Sequence, residues 1–306
     1  MAFREIFWMV FAVLVLLSLI IPAVRMMFLT QARLMKLKEI EKERGSRAIS
    51  LIHRQETLAF LGIPFLRFLS IDESEKILRV IRKTSDDTPI DLIIHTPGGL
   101  LLAAEQIANA LKAHPAKVSV MVPHFAMSGG TLITLAADEI YMDPNAVLGP
   151  IDPQISNYPA ASIIKAVGQK TTDEVDDKTL IMADIGEKAT RQVRQTITRL
   201  LEHKLPTEDA HKLAETLSSG QWTHDYPIKV DEAKEMGLPV TVEVPEQVYD
   251  LMELYPQGGR RRPSVQHMCP SPRRRKTRQT GGSKGGSWAS ASWRLALRWC
   301  GLPDIS

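Results

Sequence analysis

The chain changes its hydrophobic rhythm several times, and each rhythm predicts a different element. From Ile6 to Val24 (IFWMVFAVLVLLSLIIPAV) no charged residue interrupts the apolar run, whose length matches the roughly 20 residues needed to cross a bilayer. The prediction is a transmembrane anchor within residues 1–29, with Pro22 tolerated as prolines are in membrane helices. A cleaved signal peptide fits less well. Its apolar core runs to about 7–15 residues and ends at a small-residue cleavage site, which RMMFLTQARLMKLKEIEKERGSR does not offer. That following segment keeps helical spacing under dense charge and reads as a juxtamembrane helix over residues 30–46.

Residues 47–257 read as one α/β domain. Its opening, SRAISLIHRQETLAFLGIPFLRFL, mixes apolar and polar positions and suits a strand or hairpin. From Ser70 the pattern becomes regular. SIDESEKILRVIRKTSDD begins with a capping Ser-x-x-Glu (Ser70, Glu73) and puts Ile77, Leu78 and Ile81 on one helical face. PIDLIIHTP is a short buried strand, GGLLLAAEQIANALKAHP a helix closed before Pro115, and AKVSVMVP the next strand. SGGTLITLAADE continues as a helix and EIYMDPNAVLGP as a strand with a turn. Strands alternating with helices at this spacing predict βαβ units and a parallel sheet. Later helices are expected after the loop IDPQISNYP, over ADIGEKATRQVRQTITRLLEHKL with Val193, Ile197, Leu200 and Leu201 on one face, over PTEDAHKLAETLSS and over PEQVYDLMELYP.

Charge changes the picture at both ends. Arg4 alone precedes the apolar run, whereas Arg25, Arg33, Lys36, Lys38, Lys42, Arg44 and Arg47 follow it. Cytoplasmic flanks carry the excess of Lys and Arg, so the soluble part is expected on the cytoplasmic side. Residues 258–306 hold eleven basic side chains against Asp304 alone, a charge of +10 that leaves residues 1–257 at −7 within the total of +3. This Arg-, Gly-, Ser- and Pro-rich tail buries too little apolar surface to offset ordering entropy and is expected to be disordered. Trp288, Trp293 and Trp299 would suit a short membrane-binding segment there, but a solvated extension, or one from an altered reading frame, is preferred, and nucleic acid is not an expected partner. Cys269 and Cys300 also lie in the tail, so no disulfide or cysteine metal site supports the body.

The candidate chemistry sits at two corners where a strand runs into glycines that open a helix. One is IIHTPGGLLLAAEQ, with Gly98 and Gly99. The other is PHFAMSGGTLITLAA, with Ser128, Gly129 and Gly130. Unpaired N–H groups at such corners suit a developing oxyanion, and Ser128 stands where a serine nucleophile belongs. Taken alone, a serine in that place is more often a helix cap.

The HTPGG motif, followed about thirty residues on by MSGGTLITLAADEIYMDPNAVLGPID, resembles the Clp and signal peptide peptidase A serine proteases of the ClpP/crotonase superfamily. Over Arg47 to Tyr255 the likeness is strongest to the membrane-anchored family labelled serine dehydrogenase proteinase. The resemblance implies a ClpP/crotonase fold, with Ser128 as nucleophile and the backbone N–H groups of Gly129 and of the Gly98–Gly99 turn as oxyanion hole. It also implies peptide or unfolded membrane-protein substrates such as signal-peptide remnants, and a homo-oligomer. Clp proteases place a histidine about 25 residues after the serine, where this chain has Ile151, Asp152 and Pro153. His95 and His124 read as polar residues near the site, although His95 could touch substrate.

Signal peptide peptidase A enzymes use a lysine as base instead, and Lys165, Lys170, Lys178 and Lys188 stand at a suitable remove. Lys188, expected at the head of its helix, best resembles the family's lysine; burial and a helix N-terminus would both favour its neutral form. The alternative is a solvated lysine. The expected reaction is acyl transfer by a Ser128–Lys188 dyad. No GxGxxG opens a βαβ unit here, so neither a dinucleotide nor a metal is expected. Crotonase-type acyl-CoA chemistry and a non-catalytic scaffold of the same fold are the competing readings.

Overall fold

The structure, a computed structural model, describes residues 2–53, 56–57, 64–65 and 68–255. The basic tail with its cysteines and tryptophans lies outside the described residues, as does much of the segment expected to form a hairpin after residue 53. The strands are β1 (Arg47–Ile52), β2 (Glu56–Thr57), β3 (Pro64–Phe65), β4 (Ile90–His95), β5 (Val118–Val122), β6 (Phe125–Ala126), β7 (Glu139–Met142), β8 (Val147–Leu148), β9 (Gln154–Ile155), β10 (Tyr158–Pro159), β11 (Ile228–Lys229) and β12 (Val240–Thr241). The helices are α1 (Ala2–Arg44), α2 (Ile71–Lys83), α3 (Leu101–Lys112), α4 (Gly129–Thr134), α5 (Ala160–Gly168), α6 (Asp177–Leu201), α7 (Thr207–Ser218), α8 (Val230–Glu235) and α9 (Glu246–Glu253).

The expected parallel sheet is present. Its order is β1-β4-β5-β7-β12 and every neighbouring pair is parallel. Both faces are covered, which is why β4 (IDLIIH) reads as an unbroken buried run. Side chains still alternate between two cores. Ile90, Leu92 and Ile94, with Val118, Val120 and Val122, join the larger core containing residues of α2, α3, α4, α6 and α7. Ile93 and Met121 point the other way, into a smaller core with Ile40 of α1 and Val248 and Leu251 of α9. Helix α2 has the predicted capping box at Ser70 and Glu73, and buries Ile77 and Ile81. Each such side chain contributes about 1.5–3 kcal/mol.

The apolar segment and the charged segment after it form one helix, about 65 Å long at 1.5 Å per residue. It is the one helix among the described residues that is long and apolar enough to cross a membrane. Its charged half is not a free stalk. Ile40 is 1% exposed, the Arg33 guanidinium stacks over the Tyr255 ring at 3.9 Å and donates to Leu254 O, and Arg44 pairs with buried Asp91 at 2.6 Å. Buried carboxylates need such partners. The residues expected to extend the anchor as a juxtamembrane helix form its continuation, and its end is part of the second core.

Three local differences from the sequence reading matter for the site. EIYMDPNAVLGP divides into β7 and β8, which belong to different sheets. Phe125–Ala126 adds β6, and β6, β8 and β11 form a separate three-stranded sheet with β8 in the middle. The helix expected to start near Ala183 starts at Asp177, where the Asp176 side chain accepts from Thr179 N–H at 3.1 Å. That acidic cap outweighs the weak apolar signal of the first turns.

Candidate active site

β4 and β6 deliver the two glycine corners to one place. Thr96 and Ala126 form a parallel bridge, with Thr96 N–H donating to Phe125 O at 3.2 Å and Met127 N–H to Thr96 O at 3.0 Å. The chains then turn together. Gly98 (φ 102°) lies so close to the second corner that a Cβ on it would stand 2.9 Å from both Met127 O and Ser128 Cβ. A Cβ on Gly99 (φ 153°) would stand 2.3 Å from Leu69 N. Both positions demand glycine, for space and for backbone conformation.

Ser128 occupies φ 50°, ψ −115°, a region that costs a residue with a side chain of order 1–3 kcal/mol. It holds the N-cap position of α4, yet its side chain makes no cap hydrogen bond. The strain is enforced by packing on the far side: a Cβ at Gly130 would fall 2.6 Å from Thr96 Cγ2, and one at Gly129 would fall 3.1 Å from Ala104 Cβ. A strand, a strained serine and a helix in that order form the elbow that exposes a nucleophilic hydroxyl in other folds.

The amides around it divide into used and unused. Gly98 N–H donates to Thr96 Oγ1 at 3.1 Å, Leu100 N–H to Leu69 O at 2.9 Å and Gly130 N–H to Met127 O at 2.7 Å. The amides of Gly99 and Gly129 have no such acceptor among the described residues, and Gly99 N is 3.7 Å from where a Gly129 Cβ would be. Two adjacent unspent donors beside a serine hydroxyl are the arrangement that stabilises a tetrahedral oxyanion. A chain that sequence reasoning missed runs from half-buried Glu73 through buried His53 to buried Thr96. Glu73 Oε1 lies 2.9 Å from His53 Nε2, and His53 Nδ1 lies 2.7 Å from the Thr96 hydroxyl that holds Gly98. Burial would raise the Glu73 carboxyl, but hydrogen bonds with His53 and Ser70 hold it below its ordinary range.

The chain matches the profile of the ClpP-like SDH-type serine proteinases over residues 1–283. It belongs to that family. Two uncharacterized proteins of Methanocaldococcus jannaschii are similar to it: one is 56% identical over 263 residues, 86% of this chain and 91% of the relative, and the other is 54% identical over 260 residues, 85% and 89%. The fold of this family member is the mixed α/β architecture with a parallel sheet that the motifs implied.

Among the described residues the expected lysine makes no polar contact with Ser128. Lys188 lies in the middle of α6, is 63% exposed, and pairs with Asp184 one turn earlier at 2.5 Å. Because α6 begins at Asp177, Lys188 stands in the helix interior rather than at its head. Lys165, Lys170 and Lys178 are exposed as well. Lys204 is the lysine that burial drives down, to about 8. Its amine donates to Leu135 O at 2.6 Å and to Ala137 O, beyond the end of α4 opposite Ser128 and roughly 10–13 Å away along the helix axis.

His95 is buried and packs on Phe125, ring centroids 4.2 Å apart, with His124 at 5.8 Å. In the loop where a Clp histidine would stand, the buried Asp152 carboxylate meets His224 Nδ1 at 2.7 Å. His224 was not singled out by the sequence. The signal available was a histidine in the turn-forming WTHDYP, between two aromatic residues that stack at 4.8 Å.

Proposed function

We propose that this family member is a membrane-anchored serine endopeptidase, in which Ser128 attacks a peptide carbonyl while the amides of Gly99 and Gly129 hold the oxyanion. The observation that carries the reading is the backbone of Ser128. A serine that only caps a helix does so from an extended conformation without strain, whereas this residue is held at φ 50° and makes no cap bond. Retained strain of that kind belongs to function. The Gly98 amide already donates to Thr96 Oγ1 at 3.1 Å, so this reading takes the other two amides as the donors.

The substrate class we propose is apolar peptide, derived from the membrane or from unfolded membrane proteins, signal-peptide remnants included. Leu100 and Leu102 support this: they follow the glycine turn directly and are 55% and 59% exposed. The apolar half of α1 would keep the domain at the bilayer, on the cytoplasmic side by its flanking charge. Exposed Ile181 and Ile185 on α6 are consistent with packing against further copies. The test is hydrolysis of apolar quenched fluorescent peptides by the detergent-solubilised full chain. Turnover is expected from wild type and none above background from Ser128→Ala; equal turnover by the two proteins refutes the assignment.

A further inference from the structure

Asp152 and His224 come from loops far apart in sequence and meet at the end of the three-stranded sheet where Ser128 lies. β8 pairs parallel with β6 and antiparallel with β11, Leu148 lying opposite both Ala126 and Ile228. Residues that follow β6, residues that follow β8 and residues that precede β11 therefore share one end. They are Met127–Ser128, Gly149–Asp152 and His224–Pro227 respectively.

The middle loop is fastened to the first. Gly149 N–H donates to Thr131 Oγ1 at 3.0 Å, and a Cβ on Gly149 would fall 2.5 Å from Met127 Cε. Met127 and Thr131 flank Ser128 on either side. The third loop is fastened to the middle one by the Asp152–His224 bond, and is itself braced by the Trp222–Tyr226 stack and by Tyr226 N–H donating to Thr223 O at 2.9 Å.

The chemistry of the pair assigns its hydrogens. His224 Nδ1 faces Asp152 Oδ1 at 2.7 Å and Gln154 Nε2 at 3.3 Å; the shorter contact is to a group that, when ionised, only accepts, so we assign the hydrogen to Nδ1. In the neutral ring Nε2 then carries the lone pair. Gln154 Nε2 donates to the other carboxylate oxygen at 2.6 Å, so Asp152, 2% exposed, is held on both oxygens, while the His224 side chain is 36% exposed. The result is a basic nitrogen on a half-exposed ring, anchored from behind by a buried carboxylate, on the loop beside the nucleophile's neighbours.

We propose that His224 takes the Ser128 proton, with Asp152 as its positioning residue, an inference that rests on Ser128 being the nucleophile. The proposal requires peptide binding to bring His224 Nε2 to the serine hydroxyl, as catalytic hydrogen bonds commonly tighten in the loaded enzyme. Ser128 Oγ bonds to the peptide carbon as its proton passes to His224 Nε2, and the carbonyl electron pair moves onto the oxygen at Gly99 and Gly129. Collapse breaks the C–N bond, and the proton on Nε2 leaves with the amine. Water then attacks the acyl carbon, giving its proton to Nε2, and that proton returns to Ser128 as the acid departs.

The experiment is the rate at which a fluorophosphonate probe labels the detergent-solubilised full chain, since that reaction needs the serine proton removed but no knowledge of the substrate. His224→Ala is expected to label about 100- to 10,000-fold more slowly than wild type, as loss of an acid–base group does, and added imidazole is expected to restore part of the rate. A merely structural histidine would show no such rescue. His224→Ala and His224→Gln that melt like wild type and label at the wild-type rate overturn the proposal while leaving the Ser128 reading intact. Absence of labelling in native wild type, or equal labelling of Ser128→Ala, overturns both. Should neither histidine variant fold, alkylation of wild type by an apolar peptide chloromethyl ketone decides: modification mapped to His224 supports the proposal, and modification mapped to Lys188 overturns it.

Discussion

Two histidine–carboxylate pairs lie among the loops and strands that carry the candidate site, and they differ in what they leave over. His53 is 3% exposed at its side chain, with one ring nitrogen on Glu73 and the other on Thr96. Both nitrogens are engaged, so this imidazole is a strut: it holds Thr96, which holds the Gly98 amide, which shapes the glycine turn. His224 spends Nδ1 on a buried carboxylate and keeps Nε2 at a half-exposed edge. The same two residue types thus supply a fixed support in one place and, in our proposal, the proton acceptor in the other. Burial and the count of engaged nitrogens separate them, not composition.

The comparison can be broken in order of expected effect. Ser128→Ala is expected to lower peptide hydrolysis by at least about 10,000-fold, as removal of a serine nucleophile does, measured against a variant shown to melt like wild type. His224→Ala follows with the loss already described. His53→Ala should cost less in rate than the roughly 100-fold that losing an oxyanion donor costs, because the donors remain and only their support is weakened. It should cost about 1–3 kcal/mol in stability for the buried partners left unsatisfied, and imidazole should not rescue it. A His53 variant with the larger rate loss and an undisturbed melt would reverse the roles assigned to the two pairs.

The Glu73 strut also predicts an acid limb of stability. Its folded carboxyl titrates below its ordinary value of 4.5, so its contribution is fully present above that value and is lost as pH falls through the folded one. Thermal melts of Glu73→Gln should therefore lie below wild type at neutral pH and converge with it in acid. The smallest effects concern the lysines. Burial lowers Lys204 from 10.5 to about 8, so the unfolded chain binds the extra proton between those values, and stability rises with pH across that window. The gain is at most about 3 kcal/mol, less for partial solvation, and Lys204→Met should flatten it. Lys188→Ala, which removes an exposed ion pair, should change the melt by less than about 1 kcal/mol.

Much of the scaffold was legible because its signals are local. The unbroken apolar run from Ile6, the buried β4 segment, the Ser70–Glu73 capping box and the glycine corners all announce themselves within a few residues. The start of α6 was misjudged because one acidic cap at Asp176 outweighs a diffuse apolar pattern. β6, β8 and β11 are two residues each and have no periodicity to detect. Lys188, chosen by its likeness to the family's lysine and expected at the head of its helix, lies in the helix interior.

By itself, the sequence determined the alternation of helices with the main-sheet strands β4, β5 and β7, the apolar run, and a serine between a strand and two glycines, since hydrophobic period and glycine placement act over short distances. Tertiary structure alone decided that Ser128 is strained rather than capping, that the Gly98 amide is spent while those of Gly99 and Gly129 find no acceptor among the described residues, and that α1 ends in a core. It also decided that Asp152 meets a histidine some seventy positions away. Those outcomes depend on which backbone donors find acceptors and which loops share one end of a sheet, and both are set by pairing across the chain rather than along it.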